Sequence, residues 1–181
     1  MFGVFRAAKA RHACAQALSP FVARPTAIGS WPTKFWQDPF VIGFIVYVIG
    51  FVLDLESVGR LTSEQRGKVF MGALQDAGGY SPDFMDRLSA LAQAKDPDFM
   101  LGGRNAETVS TYLMNLHPMP GDPDVEAATK LARATTLTGR VDRAEIGGSL
   151  IHMLFTAVVK KRLGVWSAHV VGLSAIWHEA Q

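Results

Sequence analysis

Glu145, Ser149 and His152 stand at i, i+4 and i+7, a spacing that sets all three on one face of a helix. An acid, a hydroxyl and an imidazole so placed could form a hydrogen-bonded chain that activates a nucleophile or holds a small polar ligand. Such a site also needs an oxyanion pocket, and no motif supplies one. The competing assignment is structural. Glu145 completes a capping box opened by Asp142, Ser149 is a small residue at a close helix crossing, and His152 is a buried imidazole with one polar partner. The structural assignment is the expectation here, so no catalytic residue and no cofactor is assigned.

Asp54 and Glu56 are the candidate metal ligands. Asp54 to Gln65 has an acid first, an acid third, Gly59 sixth and Leu61 eighth, in the manner of a calcium loop. Ala134 to Glu145 matches it at Gly139, Val141 and Glu145. Val58 and Gln65 in the first loop, and Ala134 in the second, stand where oxygen ligands are needed. A helix stop at glycine followed by a capping box, Thr62 with Gln65 and Asp142 with Glu145, accounts for both stretches without metal. These corners resemble those of degenerate EF-hands and of tellurite-resistance-type helical domains over a dozen residues each, a generic resemblance that names no family.

Other chemistry-bearing residues are scattered. His178-Glu179 lacks the second histidine of a helical zinc motif, and His169 is out of phase with His178. A single cysteine, Cys14, excludes an internal disulfide framework. The paired glycines at 102–103 and 147–148 lack the frame of a phosphate loop or dinucleotide fingerprint.

Charge is uneven. Five basic residues and no acid precede Asp38, whereas the rest of the chain carries 13 basic and 16 acidic residues. The net charge of +2 implies no nucleic-acid partner. The basic, aromatic-studded residues 1–37 fit an amphipathic surface helix and connector. Phe2, Phe5, Arg6, Lys9, Arg11, Trp31 and Trp36 are the expected membrane or partner contacts. Organellar targeting by the same stretch, from its acid-free composition, and a solvated or loosely docked first helix are the other two readings.

The elements that must position these residues are helical. Pro39 to Leu53 is an unbroken apolar run between Asp38 and Asp54. As a helix it reaches about 22 Å, short of a ~30 Å hydrocarbon core, so a buried central helix is expected; a single-pass anchor spanning near 39–55 is the alternative. Gly43 and Gly50, seven apart, offer one face to a close partner, expected in the Gly147-Gly148 segment. Glu145 to Arg162 is the second very apolar helix, ended by Lys160-Lys161-Arg162 and Gly164.

Further helix starts are written at Ser81-Pro82, Asp96-Pro97 and Asp122-Pro123. Apolar stripes follow at helical spacing: Val69, Phe70, Ala73 and Leu74, stopping at Gly78-Gly79; Phe84, Leu88 and Leu91; Val109, Tyr112, Leu113 and Leu116; Val125, Ala128, Ala132 and Thr135; Trp166, Val170, Leu173 and Trp177. The expectation is an all-α, single-domain bundle of about seven helices over residues 38–181, with two very apolar central helices and a basic N-terminal extension over residues 1–37. The expected function is that of a non-catalytic interaction or adaptor protein, cytoplasmic and peripheral at an anionic membrane surface, with a protein partner or a second copy of itself. A small helical ligand-binding protein or enzyme using Glu145, Ser149 and His152 is the alternative from another class.

Overall fold

The computed structural model describes residues 2–22, 34–57, 61–79, 81–114, 116, 121–136 and 139–164, and every regular element in them is helical. In chain order these are α1 (Phe2–Val22), a 3₁₀ turn (Phe35–Gln37), α2 (Pro39–Ser57), α3 (Ser63–Asp76), α4 (Phe84–Ala94), α5 (Pro97–Leu113), α6 (Pro123–Thr135) and α7. The last runs on without a break from Arg143–Ile151 through a π turn at His152–Thr156 to Ala157–Arg162. Counting that run as one, the described residues form seven helices in a single all-α domain.

α2 and α5 start alike and lie together. The Asp38 carboxylate accepts from the amides of Phe40 and Val41 at 2.9 and 3.3 Å, and Pro39 opens α2. Asp96 accepts from the amides of Asp98 and Phe99 at 3.0 and 2.9 Å, and Pro97 opens α5. Each carboxylate satisfies amides that a helix start leaves free, and each proline sits where no amide is needed. Just inside both starts a glycine removes the side chain between the helices. A Cβ on Gly43 would overlap the Phe99 carbonyl, and one on Gly102 would overlap the Phe40 carbonyl and lie 2.8 Å from the Phe44 nitrogen. Further along, Tyr47 lies beside Glu107, so the two helices run parallel with their N-termini at one end.

The other neighbours of α2 and α5 run the opposite way. In α1, Lys9 pairs with Glu56 at 3.0 Å, the Cys14 thiol faces the Ile49 carbonyl at 3.9 Å, and the Phe21 ring meets Phe44 at 4.8 Å. For α7 against α5, Arg143 donates to the Tyr112 carbonyl, Asn105 to the Leu154 carbonyl at 3.1 Å, and Arg162 to Asp98 at 2.8 Å. The N-terminal basic stretch is thus a core helix, burying Ala10, Cys14, Leu18 and Phe21 along one face. α3 packs on α1, where the Arg11 guanidinium lies over Gly72 and binds Asp76 through two bonds of 2.7 and 2.5 Å.

Phe155 is the hub of the core. Its ring lies 4.5 Å from Phe44, 5.3 Å from Phe21, 6.3 Å from Phe35 and 6.4 Å from Phe40. The π turn explains how α7 delivers it. Leu150 and Val159 are nine residues apart and would face opposite sides of a regular helix, yet both are fully buried. By taking up an extra residue, the π turn rotates the second half of α7 so that Phe155 and Val159 continue the stripe begun by Leu150 and Leu154.

Four expectations change. The partner of Gly43 is α5, and Gly50 has open space before it, whereas Gly147 faces Leu113 and Tyr112. Ser81-Pro82 does not cap α4 directly: Pro82 and Asp83 form a turn, the Phe84 amide donates to the Ser81 carbonyl at 3.1 Å, and the helix begins at Phe84. Leu113 and Leu116 leave their stripe and stay exposed: the core still reaches the last turn of α5 at Tyr112, but Leu113 ends the helix and Leu116 lies past it. Thr135 is likewise exposed, its hydroxyl donating back to the Leu131 and Ala132 carbonyls. The stripe at Trp166, Val170, Leu173 and Trp177 lies outside the described residues.

The two glycines of α2 are therefore expected to respond in opposite directions to one added methyl. Gly43→Ala should lower the unfolding free energy by about 2 kcal/mol or more, because the methyl meets backbone that cannot step aside. Gly50→Ala should raise it by up to ~1 kcal/mol through helix propensity alone. Urea titration of the two variants measures both, and equal effects would refute the close crossing.

Candidate functional site

The capping boxes place two of the candidate acids first. In α7 the Asp142 carboxylate accepts from the Glu145 amide at 2.9 Å, and Glu145 accepts from the Asp142 amide at 2.7 Å. The second Glu145 oxygen accepts from the Thr136 hydroxyl at 3.4 Å. Both oxygens are thus engaged at the helix start, where negative charge also suits the helix dipole. Among the described residues no hydrogen bond links Glu145, Ser149 and His152. Ser149 is half-buried one turn further on, and His152 opens the π turn. The three occupy α7 in the order the spacing implies, but Glu145 serves the backbone and does not reach toward the imidazole.

Asp54 and Glu56 lie on the last turns of α2. Asp54 pairs with Arg66 of α3 at 2.5 Å, and Glu56 pairs with Lys9 of α1 at 3.0 Å. The Thr62–Gln65 capping box that follows is formed, with the Thr62 hydroxyl accepting at 3.2 Å and the Gln65 side chain accepting at 3.0 Å. Among the described residues no three His, Cys, Asp or Glu side chains gather as a ligand set. What the two acids do is tie α2 to its neighbours.

The proposed surface contacts divide into two groups. Phe5 is 74% exposed near the start of α1, with Arg6 and Lys9 exposed beside it. Arg11 is drawn into the bond to Asp76, which holds that carboxyl below the usual range. Trp36 turns inward: its ring lies 5.1 Å from Phe35, edge to face, and fills the space where Gly79 has no side chain. The side chain of Phe2 and the whole of Trp31 lie outside the described residues.

Three residues carry much of the polar architecture through long-range bonds that their local sequence patterns do not show. Arg162 donates to both Asp38 oxygens at 3.0 Å and to Asp98, bridging the starts of α2 and α5 from 124 positions away in the chain. Asn105 satisfies a carbonyl inside the π turn, where the regular bonding pattern is interrupted. Asp98 was legible only as a charge favoured in a first helical turn. A repeated Asp-Pro start with glycine five or six residues later, at 38–43 and 96–102, is the one sequence signal that could have paired α2 with α5.

No protein-family model matches the chain, and neither a curated protein nor a solved structure matches it.

Two titratable groups are buried enough to report on the fold. Burial pushes the Cys14 thiol up to about 11, with the Glu56 charge adding to it, so the group is protonated at neutral pH. Native protein should therefore react with Ellman's reagent far more slowly than protein in urea, and comparable rates would show that Cys14 is reached without unfolding. Burial, helped by Lys160, lowers the pKa of His152 below its ordinary 6.5. Between those two values the unfolded chain binds more protons than the folded one, so stability is complete above about pH 6.5 and declines below it. Asp76 and Glu64, lowered by their bonds to Arg11 and Lys68, respond only in more acid solution. Urea midpoints measured from about pH 7.5 to about pH 5.5 should fall in the parent protein and fall less in His152→Gln.

Proposed function

We propose that the protein is a non-catalytic, all-helical interaction protein that docks peripherally on an anionic membrane surface through the start of α1. One observation carries this reading: Phe5 is 74% exposed on a helix with no acidic residue, beside Arg6 and beside Lys9, whose ammonium also pairs with Glu56. An exposed aromatic ring enters the boundary between headgroups and acyl chains, and neighbouring cations meet the phosphates. The opposite face of α1 is already spent in the core, so the helix lies fixed in the domain as it presents its tip. The acids of the α7 and α2 candidates serve caps and ion pairs, which favours interaction over chemistry at those places.

A second reading rests on α2. Pro39–Glu56 is 18 residues long with a mean hydropathy of 2.0, enough by length and composition to cross a bilayer. More than half of that stretch is buried inside the bundle, as in a core helix.

Flotation with vesicles separates binding from its causes. The parent protein should float with phosphatidylserine-containing vesicles and much less with phosphatidylcholine alone. Phe5→Ser should weaken the partition by about tenfold, in line with the transfer energy of one phenyl ring. Arg6→Glu should weaken it too, and salt should screen the anionic component. Unchanged binding of both variants refutes docking through α1. In cell membranes, alkaline carbonate should release the protein, whereas retention in the pellet would favour the span.

A further inference from the structure

Among the described residues α4 is held to the bundle by little. Only Phe84 of its 11 residues is buried, and Leu88 and Leu91 are half-buried, so one narrow stripe fastens it. No other helix lies closely along it, whereas α5 lies along α2, α3 along α1 and α6 along α7. Lys9, Arg11, Arg66 and Arg162 tie α1, α2, α3, α5 and α7 to one another through ion pairs. Among the described residues no ion pair joins α4 to any of them, and the bond from Arg87 to the Gln37 carbonyl is long at 3.4 Å.

Both ends of α4 are also weak, while the chain just beyond them is fixed. No side chain caps its first turn, unlike α2, α3, α5, α6 and α7. At its last turn Lys95 takes the left-handed conformation at φ 49°, the one residue other than glycine to do so among the described residues. A Cβ resists that conformation, which glycine usually fills at a helix end. Before α4, Gly79 sits against the Trp36 ring with no room for a Cβ, and after it Asp96 is spent in capping α5. Beside the start of α4 lies a cavity of about 180 Å³, lined by Trp36, Gly79, Ser81, Phe84 and Arg87 among others.

We infer that α4 is a flap, which opens as a unit between Gly79 and Asp96 while the other helices stay packed, and which enlarges the cavity beside Trp36 as Phe84 leaves its seat. The flap is a property of the fold and does not depend on membrane docking. Opening breaks one apolar stripe and one long hydrogen bond, and it releases the strain at Lys95. A unit that buries so little opens at a small fraction of the free energy of global unfolding. Phe84 is the latch, because it is the one side chain of α4 that the core holds fully. When it leaves, Phe84, Leu88 and Leu91 are presented together on the flap, and Trp36 is uncovered on the body.

Amide hydrogen exchange of the full-length protein, followed in rising urea below the unfolding transition, is the test. Amides at 87–94 should exchange at least about tenfold faster than those of α2 and α5, all at similar protection and with little dependence on urea. The α2 and α5 amides should show the steep urea dependence of global unfolding, since the slope follows the surface exposed. Phe84→Ala should speed exchange at 87–94 by about tenfold or more, and Lys95→Gly should slow it several-fold. Ile49→Val, a mild change at a fully buried site in α2, should speed α2 and α5 several-fold and leave 87–94 as they were. If 87–94 exchange as slowly as α2, or quicken with urea in step with it, α4 opens only when the domain unfolds and the inference is overturned. Equal acceleration of α4 and α2 by Ile49→Val overturns it too. So does protection that falls steadily from one end of 87–94 to the other, because the helix then frays and does not open as a unit. Should Phe84→Ala fail to fold, the urea series on the unsubstituted protein decides alone.

Discussion

The close approach of α2 and α5 at Gly43 and Gly102 is the constraint on which the other contacts depend. With the two backbones touching near their starts, two positive helix ends lie side by side, an arrangement that repels unless negative charge is supplied. Asp38, Asp96 and Asp98 supply it, the first and second while capping free amides. Three carboxylates in one place would then repel each other. Arg162 answers that second problem by donating to Asp38 and Asp98 together, and it arrives on the C-terminal end of α7, where cations are themselves favoured. The glycines permit the contact, the aspartates make its polarity tolerable, and the arginine locks the third helix across it.

What was legible in the sequence was what is decided within three or four residues. The caps at Asp38, Asp96 and Asp122, both capping boxes and the stop at Gly78 form where the residue types imply them, because donor and acceptor are close in the chain. The same locality explains why Glu145 could be assigned to a cap. The partner of Gly43 was not legible, since two candidate glycine pairs lay elsewhere in the chain and a one-dimensional pattern cannot choose between them. Leu113 and Leu116 misled for a related reason. Their spacing is helical, but burial at a helix end depends on where the neighbouring helices stop.

α7 shows a different limit. Read with a fixed period of 3.6, Leu150, Leu154, Phe155 and Val159 cover more than one face, so the segment looks apolar nearly all round. In the structure it has an ordinary buried stripe that changes phase once, at the π turn. The apparent surplus of hydrophobic surface came from applying one period across a break in it. Asn105 belongs to the same device, for it donates to a carbonyl that the extra residue displaces. No residue in α5 advertises that role, because the need for a donor arises only once α7 is wound that way.

The apolarity of α2 has to be weighed against what surrounds it. Val, Ile and Phe gain from leaving water, and a packed core and a hydrocarbon layer meet that need about equally well. Phe40, Phe44, Ile45 and Ile49 are already fully out of water in the bundle, so moving them into lipid would gain little. Such a move would break the fit of Gly43 to α5 and separate Asp38 from Arg162, Asp54 from Arg66 and Glu56 from Lys9. Along the middle of α2 a strip at Val46, Tyr47, Gly50 and Phe51 is left half-covered, and Leu55 is exposed near its end. The favourable transfer that remains to this protein therefore lies in side chains the core never reached. Among the described residues those stand where α1 begins, where α2 and α5 end, and at Met85 and Met100, so none of the contacts that bury α2 need be broken to reach them.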